Sequence, residues 1–315
     1  MKIGFTFPGQ GSQFVGMGKG LAEFSATARA VFEEVDEALH KKLSQIIFEG
    51  PEESLKQTMH TQPALMAVSL AVLRFMESQG LDIKSKVSYC AGHSLGEYSA
   101  LCAVGSFSLA DTARLLELRG RAMQEAVPLG KGAMAAIIGL TEQEVEDLCK
   151  KACQKGEVCQ IANDNGGGQF VVSGSLASVE QMLVLAKEAK AKRALLLPVS
   201  APFHSVLMQP AAHIMEEALE KVQKNTPIVP VISNVRVAPE ESPQSITQLL
   251  VQQVCGRVRW RETIEWFAHH DVKQLYEIGA GRVLTGLARR INPEIECMPV
   301  LEPKEIETAL EKLDI

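Results

Sequence analysis

The stretch Val87-Ser88-Tyr89-Cys90-Ala91-Gly92-His93-Ser94-Leu95-Gly96-Glu97-Tyr98-Ser99-Ala100 decides how the rest of the chain is read. An apolar run with strand character leads into a serine that has a glycine two residues away on each side. A helix-forming run from Glu97 to Ala103 follows. Strand, glycine-flanked serine and helix is the layout of a nucleophile elbow. The turn leaves no comfortable room for a side chain at either glycine. It thrusts the Ser94 hydroxyl out at the sheet edge. It also aims the N-terminus of the next helix, with free N–H groups and a partial positive charge, at the same point. Such a site suits a nucleophile whose intermediate carries an oxyanion. The alternative is a glycine-rich turn in which the serine only caps a helix, and other parts of the chain must decide.

Outward from the elbow, short apolar runs alternate with helical patterns. Strands are expected at 3–7, 87–91, 229–233, 274–278 and 296–300. Helices are expected near 20–39, 63–79, 95–103, 109–127, 206–222, 246–254, 261–268 and 282–290. This alternation predicts an α/β protein, a parallel sheet covered by helices on both faces. One block departs from it. Between Pro128 and Pro198 the order reads strand 132–139, helix 142–152, strand 158–163, a glycine-rich turn, strand 169–173, helix 176–190 and strand 194–199. That is βαββαβ, a ferredoxin-like plait. The expected organisation is a catalytic core of residues 1–127 and 199–315 interrupted by an insert at 128–198, with the substrate cleft between them. Gly166-Gly167-Gly168 lacks the Lys-Ser/Thr of a phosphate loop and reads as a hairpin turn. Gly279-Ala280-Gly281 is half a dinucleotide fingerprint with its third glycine misplaced, and nicotinamide binding is not expected.

The 315 residues are 46% hydrophobic and 22% charged, as in ordinary globular enzymes. A net charge of −6 argues against general nucleic-acid affinity. The chain opens directly on a strand-like run, and its seven cysteines are odd in number, so free thiols in a reducing cytoplasm are expected. Cys149, Cys153 and Cys159 fit no zinc spacing, so no metal is expected. No apolar run reaches the ~20 residues that span a membrane.

A nucleophilic serine needs a base. His40, His213, His269 and His270 stand in polar or helix-end contexts, and His60 stands in an unremarkable loop. Alternation turns the side chain of His93 away from that of Ser94 and suggests a structural role. His204, in Val199-Ser200-Ala201-Pro202-Phe203-His204-Ser205, follows a strand and precedes a helix, where loops commonly carry bases. A capping or packed histidine is the other reading. Arg119 sits on the edge of the apolar stripe Leu109, Ala113, Leu116, Met123 and Val127, while Arg114 and Arg121 face solvent. A guanidinium turned toward the core needs an anion. That anion is either an Asp or Glu of the chain or a substrate carboxylate in a bidentate clamp. The loop Pro8-Gly9-Gln10-Gly11-Ser12-Gln13 ends the first strand, where loops line the site of an open parallel sheet. Its Gln10 N–H is a candidate second oxyanion donor beside that of Leu95.

Six separated motifs then agree. Phe7-Pro8-Gly9-Gln10-Gly11-Ser12-Gln13, Thr61-Gln62-Pro63-Ala64, Gly92-His93-Ser94-Leu95-Gly96-Glu97-Tyr98, Arg119-Gly120-Arg121-Ala122-Met123-Gln124, Ala201-Pro202-Phe203-His204-Ser205 and Gly279-Ala280-Gly281-Arg282-Val283-Leu284 resemble those of the malonyl-CoA:acyl-carrier-protein transacylases, in order from about residue 2 to 300. The resemblance implies an α/β-hydrolase-like core with a ferredoxin-like insert. It implies that Ser94 is the nucleophile, His204 the base, Gln10 and Leu95 the oxyanion donors, and Arg119 the partner of a malonyl carboxylate. Gln62 and Phe203 fall on the substrate side. The position that orients the histidine through a carbonyl falls on Gln253, with Gln252 an adjacent candidate. The run after it, Cys255-Gly256-Arg257-Val258-Arg259-Trp260, departs from the family's usual Asn-Pro-Val-Gln-Trp-like pattern.

The activity so implied is ping-pong malonyl transfer from malonyl-CoA to acyl carrier protein, with no metal or tightly bound cofactor, in a cytoplasmic enzyme for which a monomer is the default. Lys187, Lys190, Lys192 and Arg193, or Arg289 and Arg290, are candidate docking charges for an acidic carrier protein. Two other classes are weighed against this one. A serine esterase or thioesterase usually runs serine, acid, histidine along the chain, and no acid between Ser94 and His204 marks a strand end. A non-catalytic scaffold would tolerate loss of the Ser94 hydroxyl.

Overall fold

The computed structural model describes residues 2–199 and 201–315; Ser200, within the loop that carries His204, lies outside them. The strands, in chain order, are β1 (Lys2–Phe7), β2 (Tyr89–Gly92), β3 (Gly132–Ile138), β4 (Cys159–Asp164), β5 (Gln169–Ser175), β6 (Arg193–Leu196), β7 (Val231–Ile232), β8 (Pro239–Glu240), β9 (Val258–Arg259), β10 (Val272–Ile278) and β11 (Glu296–Val300). Among the described residues they form two sheets, ordered β11-β10-β1-β2-β7-β8 and β6-β3-β5-β4-β9.

In the first sheet every pairing is parallel except β7 with β8. Strand β1, Lys-Ile-Gly-Phe-Thr-Phe, is buried from Gly4 onward, as a strand covered on both faces must be. Phe7 pairs with Gly92, so the loops after β1 and β2 leave the sheet side by side. Helices Ala26–Leu39, Thr58–Ser78 and Leu109–Glu125 pack against each other over one face.

Several helices depart from expectation: the one expected at 206–222 opens as a 3-10 turn over Val206–Met208, Leu43–Glu49 and Pro303–Lys312 are additional, and two more differ at their starts or interiors. The helix expected at 20–39 is divided at Ser25, which leaves helical geometry and accepts from the Ala28 N–H, a cap that starts Ala26–Leu39. The helix expected to start at Pro63 starts at Thr58, with Pro63 inside it. Its first turn is held from outside the ladder, because Thr61 Oγ1 donates to Leu55 O at 2.5 Å. His60 and Gln62 are therefore helical, and Gln62 is buried.

The second sheet is antiparallel through β6, β3, β5 and β4, with helices Glu142–Ala152 and Leu176–Glu188 packed on it. These elements enclose an apolar cluster that includes Ala135, Ile137, Val145, Val172, Val179 and Met182. Strand β6 stops at Leu196, short of the expected 199, and is largely exposed. The sheet also receives β9, from the chain after helix Pro243–Cys255, which pairs in parallel with β4. Two residues long, β9 leaves no periodic signal in the sequence. Gly166, Gly167 and Gly168 all have positive φ in the hairpin between β4 and β5, as the turn reading requires. No helix among the described residues is long and apolar enough to cross a membrane.

Candidate active site

Ser94 sits between β2 and helix Leu95–Ala103 with φ 54° and ψ −112°, a conformation that an L-residue holds only at a cost of about 1–3 kcal/mol. The glycines on either side allow it. A Cβ on Gly92 would lie 1.8 Å from the Gly96 carbonyl carbon, and one on Gly96 would lie 2.2 Å from Phe7 O. The strain is held by Asn234, just past β7. Its Oδ1 accepts the Ser94 N–H at 2.8 Å and its Nδ2 donates to Gly92 O at 2.7 Å. No local motif marks Asn234 in the sequence. The available signal was a polar residue at the carboxyl end of a short parallel strand, where sites of this architecture lie.

His204, also at positive φ (57°), brings Nε2 to 2.7 Å from Ser94 Oγ. Its Nδ1 faces two carbonyls, Gln253 O at 2.9 Å and Gly256 O at 3.1 Å. Carbonyls only accept, so Nδ1 carries the proton and Nε2 is left free to take one from the serine. Both carbonyls close the C-terminal end of helix Pro243–Cys255, where the helix dipole is negative. Of the two glutamines, Gln252 O accepts the Gly256 N–H at 2.8 Å, and Gln253 O lies against the imidazole. Gly256, in the run that departs from the family pattern, was not foreseen as a second acceptor. Burial first, and then the charge of Arg119, push the His204 imidazole down to about 3.

Arg119 is 1% exposed. Its Nη1 donates to Gln62 Oε1 at 2.9 Å, and its Nη2 donates to Gln253 Oε1 at 2.9 Å and to Ser94 Oγ at 3.2 Å. Its Nε is buried without a partner. Gly120 makes this possible: a Cβ there would lie 2.5 Å from Thr58 O, so its absence lets helix Leu109–Glu125 press against the start of helix Thr58–Ser78. Among the described residues no carboxylate lies within ion-pair distance of the guanidinium. Its acceptors are neutral.

The nearest acid acts one residue removed. Glu97, 4% exposed, accepts Gln253 Nε2 at 2.7 Å and the Asn234 N–H at 3.1 Å on the same oxygen. Burial pushes its carboxyl up to about 7, against the pull of these bonds and of Arg119. Gln253 therefore acts twice, through its carbonyl on His204 and through its amide between Glu97 and Arg119.

These groups open on a cleft of about 200 Å³. Gln10 and Leu95 border it beside Ser94, and no acceptor among the described residues takes either backbone N–H. Gly9 brings the Gln10 loop in, since a Cβ there would lie 2.7 Å from His93 O. Phe203 and Gln62 line the same space. Met134, Asn163 and Val171 face it from the second sheet. Leu284 and Leu287 come from helix Val283–Ile291, whose N-terminus is held by buried Glu277 through the N–H groups of Leu284 (3.0 Å) and Thr285 (2.7 Å). The His93 ring bonds Asn165 Oδ1 at 3.0 Å and lies tilted beside Trp260, ring centroids 5.5 Å apart. His60 bonds Ser54 O and stays outside the cleft.

The chain matches the acyl transferase domain model over residues 4–285. It is 44% identical over 312 residues to the malonyl CoA-acyl carrier protein transacylase of Bacillus subtilis strain 168, covering 99% of this chain and 97% of that one. It superposes on the crystal structure of an acyl-carrier-protein-S-malonyltransferase from Bartonella henselae with a TM-score of 0.98 at 61% identity, over 100% of both chains. A malonyl-transacylase solved in complex with its type II PKS acyl-carrier protein is similar at a TM-score of 0.96 and 43% identity, over 99% of this chain and 100% of that one.

Proposed function

The chain belongs to the acyl transferase family and, within it, to the malonyl CoA-acyl carrier protein transacylases, and from that premise we propose that it carries malonyl from malonyl-CoA to the phosphopantetheine thiol of acyl carrier protein by way of a malonyl ester on Ser94. Arg119 carries this reading: a buried cation among neutral acceptors, 3.2 Å from a serine oxygen that is itself 2.7 Å from an imidazole. A site so built receives an acyl group with a free carboxylate and places its thioester at the nucleophile.

His204 Nε2 takes the Ser94 proton as Oγ attacks the thioester carbonyl. The N–H groups of Gln10 and Leu95 hold the developing oxyanion, each worth about 3–4 kcal/mol at such sites. The tetrahedral intermediate collapses, the C–S bond breaks, and the imidazolium returns its proton to the departing thiolate. The carrier-protein thiol then attacks the ester by the same steps in reverse. Carbonyls from Gln253 and Gly256 stabilise the imidazolium in place of a carboxylate. The charge of Arg119 opposes that imidazolium. A malonyl carboxylate on the guanidinium relieves the opposition, so the correct substrate strengthens its own base. A Ser-acid-His hydrolase would place a carboxylate at Nδ1, and the two carbonyls there disfavour that alternative.

The reading carries with it a cytoplasmic monomer that needs no metal or bound cofactor, and a cleft that shields the ester from water. It treats residues 1–127 and 199–315 as an α/β-hydrolase-like core and 128–198 as a ferredoxin-like insert. Phe203 would crowd an α-methyl group and disfavour methylmalonyl. Of the candidate basic residues, Arg290 is the better placed to meet the carrier protein, because its Nη2 reaches Gln169 at the cleft wall, whereas Arg289 donates to Cys297 O. The test is a two-stage label transfer. Malonyl label from malonyl-CoA should stay on the enzyme and then move to added holo carrier protein; label released as free malonate would support a hydrolase instead.

A further inference from the structure

The arrangement around Arg119 poses a problem that the transfer chemistry leaves open. A carboxylate paired directly with Arg119 would fill the seat a substrate acid must take. A buried guanidinium with no negative charge near it would bind anions indiscriminately and hold a malonyl ester too firmly. The chain does neither. Its nearest acid, Glu97, stands behind the Gln253 amide, with Nε2 turned to Glu97 Oε2 at 2.7 Å and Oε1 turned to Arg119 Nη2 at 2.9 Å. That amide cannot turn over. Reversed, its NH2 would face the guanidinium, and its oxygen would face both Glu97 and Ser94 O, which now accepts Nε2 at 3.0 Å. Glu97 Oε2 accepts the Asn234 N–H as well, and these two donors favour its charged form. Burial holds the carboxyl at about 7, so the charge is present above that pH, where the measurements below are made.

We propose that Glu97 is a positioning residue that sets the strength of Arg119 as a carboxylate receptor, supplying counter-charge through the Gln253 amide while no carboxylate of the chain touches the guanidinium itself. The inference rests on the malonyl reading of the site and adds a function for an acid that touches no reacting atom. It fixes the sign of an effect. Removing the charge while keeping an acceptor strengthens the hold of Arg119 on any small carboxylate. An acyl group without a carboxylate does not sense the change.

The experiment compares wild type with Glu97→Gln, which retains an oxygen for Gln253 and Asn234. Free malonate affinity is measured by calorimetry, and single-turnover loading of Ser94 is measured with malonyl-CoA and with acetyl-CoA. The expected result is that Glu97→Gln binds malonate about five- to thirtyfold more tightly, the range for loss of one unit charge at this remove in a partly screened interior. It half-saturates at lower malonyl-CoA, releases malonyl to carrier protein more slowly, and loads acetyl as wild type does. Unchanged or weaker malonate binding overturns the proposal. So does an equal change for malonyl and acetyl, which marks a merely structural role. Glu97→Asp, which keeps the charge, supplies an independent arm: its malonate affinity should stay close to that of wild type, and a rise equal to that of Glu97→Gln overturns the proposal. Failure of wild type to load malonyl would defeat the underlying functional reading, while the malonate calorimetry would still report on Glu97.

Discussion

The two walls of the cleft are built differently. On the parallel-sheet side, Ser94, His204 and Arg119 are fixed by buried bonds to groups that cannot move away: the carbonyls of Gln253 and Gly256, the amide of Asn234, and the close backbone contacts at Gly92 and Gly96. On the side of the second sheet, Met134, Asn163 and Val171 present contact surface with no group that could take or give a proton. That wall is tied to the other by polar links at its rim. Arg261 meets Asp164 at 2.8 Å and Glu142 at 3.0 Å, Arg257 meets Glu146 at 2.7 Å, and His93 meets Asn165 at 3.0 Å. On the proposed function, bond-making and acyl selection belong to the first wall, and the second bears on how the thioester lies in the cleft.

Substitutions should separate the walls by size of effect. His204→Ala removes the base and should slow acylation about 10²–10⁴-fold with malonyl-CoA and acetyl-CoA alike; stopped-flow loading checks this. Gly96→Ala drives a methyl group into Phe7 O and should cost about 3–5 kcal/mol of stability, read by denaturant unfolding, with the elbow lost. Arg119→Ala should remove the preference for malonyl over acetyl at about 3–5 kcal/mol in transition-state binding; a mutant that stayed selective would refute the clamp. Asn165→Ala, on the other wall, should cost about 0.5–1.5 kcal/mol. It should raise the KM for the coenzyme A thioester while leaving single-turnover acylation at saturation nearly intact. If it slowed chemistry as His204→Ala does, the contrast between the walls would fail.

Acidity gives the mildest probe. Folding depresses His204 below the ordinary imidazole value near 6.5. A base with a lowered pKa stays neutral as pH falls through 6.5, so the acid limb of acetyl loading should lie well below that value. With malonyl-CoA bound, Arg119 is neutralised, and the limb in kcat should move upward toward 6.5. Identical limbs for the two substrates would argue against electrostatic coupling of Arg119 to His204.

Much of the catalytic wall is legible in the sequence because local geometry writes it there. Gly92 and Gly96 mark a turn no other residue fits, and the stripe around Leu116 and Met123 points Arg119 inward. What escaped was long-range. Asn234, Glu97 and Gly256 act through bonds between segments 137 to 156 residues apart, or through a backbone carbonyl that any residue possesses. Glu97 lay inside the quoted motif, but nothing local says that a helix-start acid is buried under an amide. The start of helix Thr58–Ser78 was misplaced because Pro63 reads as a first-turn residue, while Gly120 and Thr61 anchor the turn before it. Strand β9 was invisible because two residues carry no period.

The account rests on Ser94 as the point of attachment. Intact-protein mass after exposure to malonyl-CoA, for wild type and Ser94→Ala, tests this most directly. The expected result is one malonyl group on wild type and none on the variant. A malonyl adduct that survives on Ser94→Ala, or a wild type that stays unmodified while consuming malonyl-CoA, would contradict it.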